Sequence, residues 1–169
     1  MNDPGLAVDN QSLECLLRKQ AIQDHLYRLC QAIDNFDCET WADGFTRDCR
    51  YRMIPRENYD RGLPLCLIDD DRAGLLQRMK LITELWQYES FRETRLLSNV
   101  LVTASSEDSA AAASTIAVYR TSAEGESRLH LVARMEDLLV QVPGQGWKIK
   151  DRLVILESFK VHNNIILPV

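Results

Sequence analysis

The spacing of apolar residues changes near Glu93, dividing the chain into a helical first half and a stranded second half. Ile22, Leu26, Leu29, Cys30 and Ile33 recur at helical steps, which predicts a long helix capped by Ser12 and ending near Phe36. Residues 1–11, with Pro4 and Gly5, read as a flexible leader to a single domain over 12–169. Asp37 suits the cap of a second, short helix that sets Trp41 and Phe45 one turn apart. Alternation over 49–54 then predicts a strand, with Cys49, Tyr51 and Met53 on one side and Arg50, Arg52 and Ile54 on the other. Pro55, Gly62 and Pro64 mark an irregular excursion. A third helix starts near Asp69, Asp70 and Asp71, whose charges favour a helix N-terminus, and carries Leu75, Met79, Ile82 and Trp86 as its apolar stripe.

Beyond Glu93 the period is two. Strands are expected near 94–104, 112–122, 128–142 and 147–159, with turns at 123–127 and 143–146. Strands this long must twist or bulge to stay over a compact core. Helices first and a meander afterwards give an α+β fold, with N-terminal helices packed on a strongly curved antiparallel or mixed sheet.

The 169 residues carry 20 Lys and Arg against 25 Asp and Glu, a net charge of −5 without a basic block. That balance argues against a nucleic-acid or anionic-membrane surface. No apolar run approaches the ~20 residues that span a bilayer, and the first residues lack a secretion pattern, so the cytoplasm is expected. Five cysteines without a CxxC pair read as reduced thiols, Cys30 among them as a small core hydrophobe. His25, His130 and His162 stand far apart, with no metal-ligand spacing. Trp41, Trp86 and Trp147 suit core anchors. The arginines at 47, 50, 52, 56 and 61 suit an ion-paired rim.

An active site inside such a fold needs a buried acid or base within reach of substrate. Asp34, Tyr51, Tyr59 and His130 are the candidates, each with a plainer reading: Asp34 as a helix end, His130 as a packing side chain. Arg95, Arg134 and Arg152 lie on adjacent long strands. They could line a subunit contact or pair with Glu93, Glu136 and Asp151 in the same chain.

Tyr27-x-x-Cys30-x-Ala32-x-Asp34-x-x-Asp37, followed by Trp41-x-x-x-Phe45-x-x-Asp48-Cys49-x-Tyr51, resembles the opening of the nuclear-transport-factor-2-like, or cystatin-like, superfamily. Arg95-Leu96-Leu97-Ser98-Asn99-Val100 resembles a strand of the small subunits of aromatic-ring-hydroxylating dioxygenases. Asp71-x-x-x-Leu75-x-x-Arg78-Met79 is similar to a helix of that family. Glu136-Asp137-x-Leu139, Gly146-Trp147-Lys148-Ile149-x-x-Arg152-x-Val154-x-Leu156 and Asn164-Ile165 extend the likeness over about 20–169.

The resemblance implies a structural small subunit with no catalytic, cofactor-binding or metal-binding residue of its own. It would form a homotrimer within an α3β3 hexamer. The large subunit would carry a Rieske [2Fe–2S] cluster and a mononuclear non-haem iron, supplied with electrons by a reductase or ferredoxin. This chain has no Cys-x-His pair, which a Rieske centre needs. The alternative is an isomerase, dehydratase or cyclase of the same fold acting on a small hydrophobic substrate in the cone. The resemblance sets Leu96, a side chain unable to transfer protons, in the strand segment where several enzymes of the superfamily and many dioxygenase small subunits carry a histidine.

Overall fold

The computed structural model describes residues 9–85, 91–158 and 167–169. Its elements are α1 (Asn10–Asp34), α2 (Cys38–Asp43), β1 (Phe45–Pro55), α3 (Arg56–Asp60), β2 (Ile68–Asp70), α4 (Arg72–Leu85), β3 (Phe91–Ser105), β4 (Ser109–Ser122), β5 (Ser127–Val142) and β6 (Gly146–Leu156). The six strands form one mixed sheet in the order β2-β1-β6-β5-β4-β3. Strands β3 to β6 are the expected antiparallel meander. Strand β1 joins β6 in parallel, Tyr51 opposite Arg152, which brings the N-terminal half into the same sheet.

Helix α1 starts at Asn10, with Asp9 rather than Ser12 at its cap. Its first turns leave Leu13, Leu16 and Leu17 exposed, so the buried stripe that marks the helix in sequence begins only at Ile22. Asn10 and Gln11 therefore belong to the helix, with Asp9 as its cap. The far end closes as a Schellman turn: Asp37 N–H reaches Ala32 O at 2.9 Å, Phe36 N–H reaches Ile33 O at 3.0 Å, and Phe36 is left-handed at φ 56°. Asp37 caps α2 as expected, its Oδ1 accepting the Thr40 N–H at 3.1 Å. At the acidic cluster the three carboxylates divide their work. Asp71 accepts the Gly74 N–H at the start of α4, Asp69 pairs with Arg50 across β1–β2, and Asp70 pairs with Arg78.

Two elements were illegible in the sequence. Helix α3 stands where an irregular excursion is expected; it has no buried residue, and Arg56–Asp60 and Arg61–Glu57 pairs hold it one turn apart. Strand β2 has three residues, two of them acidic. Trp86, His162, Asn164 and Ile165 lie outside the described residues, as does the side chain of Ile82. The last strand, expected to reach 159, ends at Leu156.

The core lies between the helices and one sheet face. Ile22, Leu26, Ile33, Trp41, Leu75 and Met79 meet Tyr51, Met53, Ile116, Met135, Leu139 and Ile149. Trp41, Phe45 and Tyr51 form an aromatic triangle with centroids 4.9–6.2 Å apart. The expected bulges interrupt the register between Ser98 and Leu101, Val102 and Ala104, Val118 and Tyr119, and Leu138 and Leu139. Asn99 is left-handed at φ 52°, a conformation its short polar side chain tolerates.

Candidate functional site

Alternation along β3 aims Glu93 and Arg95 at the covered face and Leu96 away from it. The Arg95 guanidinium meets Asp34 Oδ1 at 2.6 Å, while the other Asp34 oxygen accepts the Arg95 backbone N–H at 2.9 Å. Arg95 Nη2 also donates to Glu93 Oε2 and to the Pro168 carbonyl, both at 3.0 Å. Glu93 Oε1 accepts from Arg120 Nη2 at 2.7 Å, and the same nitrogen stands 3.2 Å from His130 Nε2. Arg120 covers the Phe91 ring at 3.9 Å from its centroid. Five titratable side chains thus form one chain of contacts from the end of α1 to β5.

A second cluster lies beside the first. Arg152 clamps Asp137 through two bonds of 2.7 and 2.9 Å, with both side chains at most 3% exposed. It also reaches the Val169 carbonyl at 3.4 Å and lies over the Phe45 ring at 5.6 Å. Tyr51 hydroxyl donates to Val169 O at 3.2 Å and accepts the Val169 N–H at 2.9 Å. Burial pushes its phenol up to about 12. Residues 167–169 are therefore tied to both clusters, with Leu167 and Val169 buried in the core.

These contacts engage three of the four candidate groups. Asp34 spends both oxygens on Arg95, and the Tyr51 hydroxyl is satisfied on both sides. His130 Nε2 faces a guanidinium that can only donate, so that nitrogen accepts. Tyr59 sits 40% exposed on α3. The structure therefore joins Asp34 to His130 through Arg95, Glu93 and Arg120, places Tyr51 with Arg152, and leaves Tyr59 apart.

The expectation of an outward subunit contact is corrected for two of the three arginines. Arg95 and Arg152 have side chains 1% and 3% exposed and serve internal pairs. Only Arg134 faces outward, 59% exposed and 2.6 Å from Glu157. The position of Leu96 is also corrected in meaning. It is 54% exposed on the outer face, so its inability to move protons says nothing about an interior site. Sequence reasoning offered Glu93 for Arg95, as found, but missed Asp34 as its second acid, Asp137 in place of Asp151 for Arg152, Glu157 in place of Glu136 for Arg134, and Arg120. The signal available was a charged residue at every second position, Glu93-x-Arg95 and Asp137 against Arg152, in strands otherwise apolar on that face.

Among the described residues, no group of three His, Cys, Asp or Glu side chains could hold a metal ion, and the five cysteines are free. That donor set does not fit a Rieske cluster or a two-histidine, one-carboxylate iron site. No described helix is long and apolar enough to cross a membrane.

A separate cleft of about 440 Å³ opens between α1, α2 and the β5–β6 turn, among His25, Arg28, Leu29, Asp43, Trp147 and Lys148. Gly44 sets its floor. A Cβ there would lie 2.1 Å from Leu29 Cδ2, so any other residue would force the buried Leu29 side chain to move. The Gly44 carbonyl accepts the Ile149 N–H at 2.9 Å and stands 3.2 Å from His25 Nε2, which must donate to it. Burial, reinforced by Arg152, Arg28 and Lys148, lowers His25 to about 4, so the ring is neutral at pH 7.

The family model for the ring hydroxylating beta subunit matches residues 28–163. The small subunit of anthranilate 1,2-dioxygenase from Burkholderia cepacia is 27% identical over 138 residues, 81% of this chain and 85% of that protein. Subunit beta 2 of the terminal oxygenase component of terephthalate 1,2-dioxygenase from a Comamonas species is 24% identical, over 82% of this chain and 90% of its own length. Among solved structures, a chain assigned as the beta subunit of an aromatic-ring-hydroxylating dioxygenase from Novosphingobium aromaticivorans superposes with a TM-score of 0.80 at 24% identity, covering 92% of this chain and 99% of that one. A naphthalene 1,2-dioxygenase chain gives 0.75 at 16% identity, covering 96% and 95%. A chain assigned as a scytalone dehydratase from N. aromaticivorans gives 0.68 at 19% identity, covering 91% and 94%, which extends the shared fold to the nuclear-transport-factor-2-like class. The match across 28–163 settles the identity: this chain belongs to the ring hydroxylating beta subunit family and is a small subunit of a terminal oxygenase, whose partner is a large alpha subunit.

Proposed function

We propose that the chain itself is non-catalytic and serves assembly, closing a homotrimer that supports three iron-bearing large subunits in an α3β3 hexamer. The single observation supporting this reading is that two of the candidate interior groups are engaged within the chain: Asp34 with Arg95, and the Tyr51 hydroxyl with Val169. Electrons from a reductase or ferredoxin, the Rieske cluster and the mononuclear iron all belong to the large-subunit side of the complex. The names of the anthranilate and terephthalate relatives point to an aromatic acid as the substrate of the whole oxygenase. Free cysteines suit a cytoplasmic setting.

The uncovered sheet face supports the assembly role. Leu96, Leu101, Tyr119, Leu129 and Leu138 are 37–62% exposed on strands β3, β4 and β5, and no described element packs over them. Permanent interfaces of this kind bury more than ~2,000 Å² and are comparatively apolar. Light scattering of the isolated chain should give three copies, and mixing with the large subunit should give a stable complex in equal proportion. The isolated chain should hold no stoichiometric iron. A persistent monomer that ignores the large subunit and turns over a small molecule would overturn the proposal.

A further inference from the structure

The cleft beside His25 has no role in the clusters of the interior, and its lining has a definite chemistry. We propose that it binds a small organic monocarboxylate, with the carboxylate held by Arg28 and Lys148 and a flat apolar body laid against Trp147 and Leu29. The inference rests on the cleft alone and not on the assembly role.

Charge sets the sign of the ligand. Asp43, the acidic residue of the lining, already pairs with Arg72 through its carboxylate, and its backbone carbonyl accepts from Lys148 Nζ. Arg28 uses its Nε on the Asp24 carbonyl at 3.2 Å, and its two terminal nitrogens have no partner among the described residues. A guanidinium fork left open in this way matches a carboxylate in two parallel hydrogen bonds. His25 adds no charge, being neutral with its Nε2–H committed to Gly44.

Shape sets the body of the ligand. A volume of about 440 Å³ falls within the range of small-molecule pockets, and one wall is apolar, from Leu29 and the buried ring of Trp147. Gln141 and Gln145 at the rim supply amide groups that can reach a polar edge. A bare inorganic anion would leave the Trp147 wall without a partner. An uncharged ring would leave the Arg28 fork without one.

The test is a calorimetric titration of the full chain with benzoate, benzamide and inorganic phosphate, with tryptophan fluorescence as a second readout. Benzoate should bind saturably, and benzamide and phosphate each about tenfold or more weaker. Arg28→Met, at an exposed position, should weaken benzoate about three- to tenfold. Lys148→Met should do the same, while Lys150→Met, whose partner Asp48 lies outside the cleft, should leave it unchanged. The proposal fails if benzoate shows no saturation, if phosphate binds as well as benzoate, or if Arg28→Met has no effect. It also fails if Arg28→Met abolishes large-subunit binding while benzoate leaves the chain untouched, because the cleft is then a protein-docking surface.

Discussion

The two faces of the sheet invert the usual distribution of charge. Under the helices lie two buried arginines, Arg95 and Arg152, with Glu93 and Asp137 against them. On the opposite face of the same strands stand Leu96, Leu101, Leu129 and Leu138, each nearly half exposed or more. Buried ion pairs are weak contributors to stability, because desolvation offsets most of their attraction. Exposed leucines in a patch are equally hard to justify for a chain that acts alone. The contrast fits the proposed division of roles. The inner face ties residues 167–169 to the sheet, and the outer one is the surface proposed for association.

Breaking one inner pair gives the largest expected effect. Arg152→Met strands the Asp137 carboxylate in the core and should lower stability by about 3–5 kcal/mol in denaturant unfolding. The double change Arg152→Met with Asp137→Leu should recover most of that loss, since matched apolar replacements of buried pairs are often neutral. A harmless single change would mean that the interior is wetter than its geometry.

The cleft should report through pH. His25 is lowered to about 4 in the folded chain from an ordinary 6.5, so the unfolded chain binds its proton first. Its contribution is present above pH 6.5 and is lost as pH falls toward 4. By linkage the loss amounts to roughly 3 kcal/mol at most. His25→Gln keeps a donor for the Gly44 carbonyl and should flatten stability across that window in urea titrations at successive pH values. A slope unchanged by the substitution would assign the window to other groups.

Tyr51→Phe probes how tightly the last residues are held. It removes the hydroxyl that both donates to and accepts from Val169, leaving the Val169 N–H without its partner and the carbonyl with Arg152 alone. The expected cost is about 1–3 kcal/mol, with faster proteolysis near residue 169. Leu129→Lys on the outer face should do the reverse. Stability of the separated chain should stay within about 0.5 kcal/mol, while the trimer is lost in light scattering. Destabilisation without loss of association would erase the distinction between the faces.

Much of this was legible in the residues. The steps from Ile22 to Ile33 gave α1, and alternation gave β1 and the meander, because burial on one side imposes those periods. Helix α3 and strand β2 left no trace, being short and held by surface ion pairs rather than a buried stripe. The parallel pairing of β1 with β6 is a long-range choice that neither segment encodes alone. The site was harder to read. Asp34 and Tyr51 were candidates for an active site, but their partners lie far off in sequence: Arg95, 61 residues away, and Val169, 118 away. Arginine inside a sheet reads as a surface residue until its acid is known, which is why Arg95 and Arg152 suggested a subunit contact as readily as a pair within the chain. The cleft gave no motif, because its wall is assembled from α1, α2 and a hairpin turn.

The central claim is that this chain contributes structure and no proton transfer to the oxygenase. The most direct measurement is turnover per assembled complex after reconstitution with the large subunit, with His130→Gln and Tyr51→Phe introduced together. Neither substitution removes an arginine or an acid from the interior pairs. The account predicts turnover within about tenfold of the parent once the amount of intact complex is matched. A loss of about 10²–10⁴-fold, the size general acid–base catalysis supplies, with the complex intact, would contradict it.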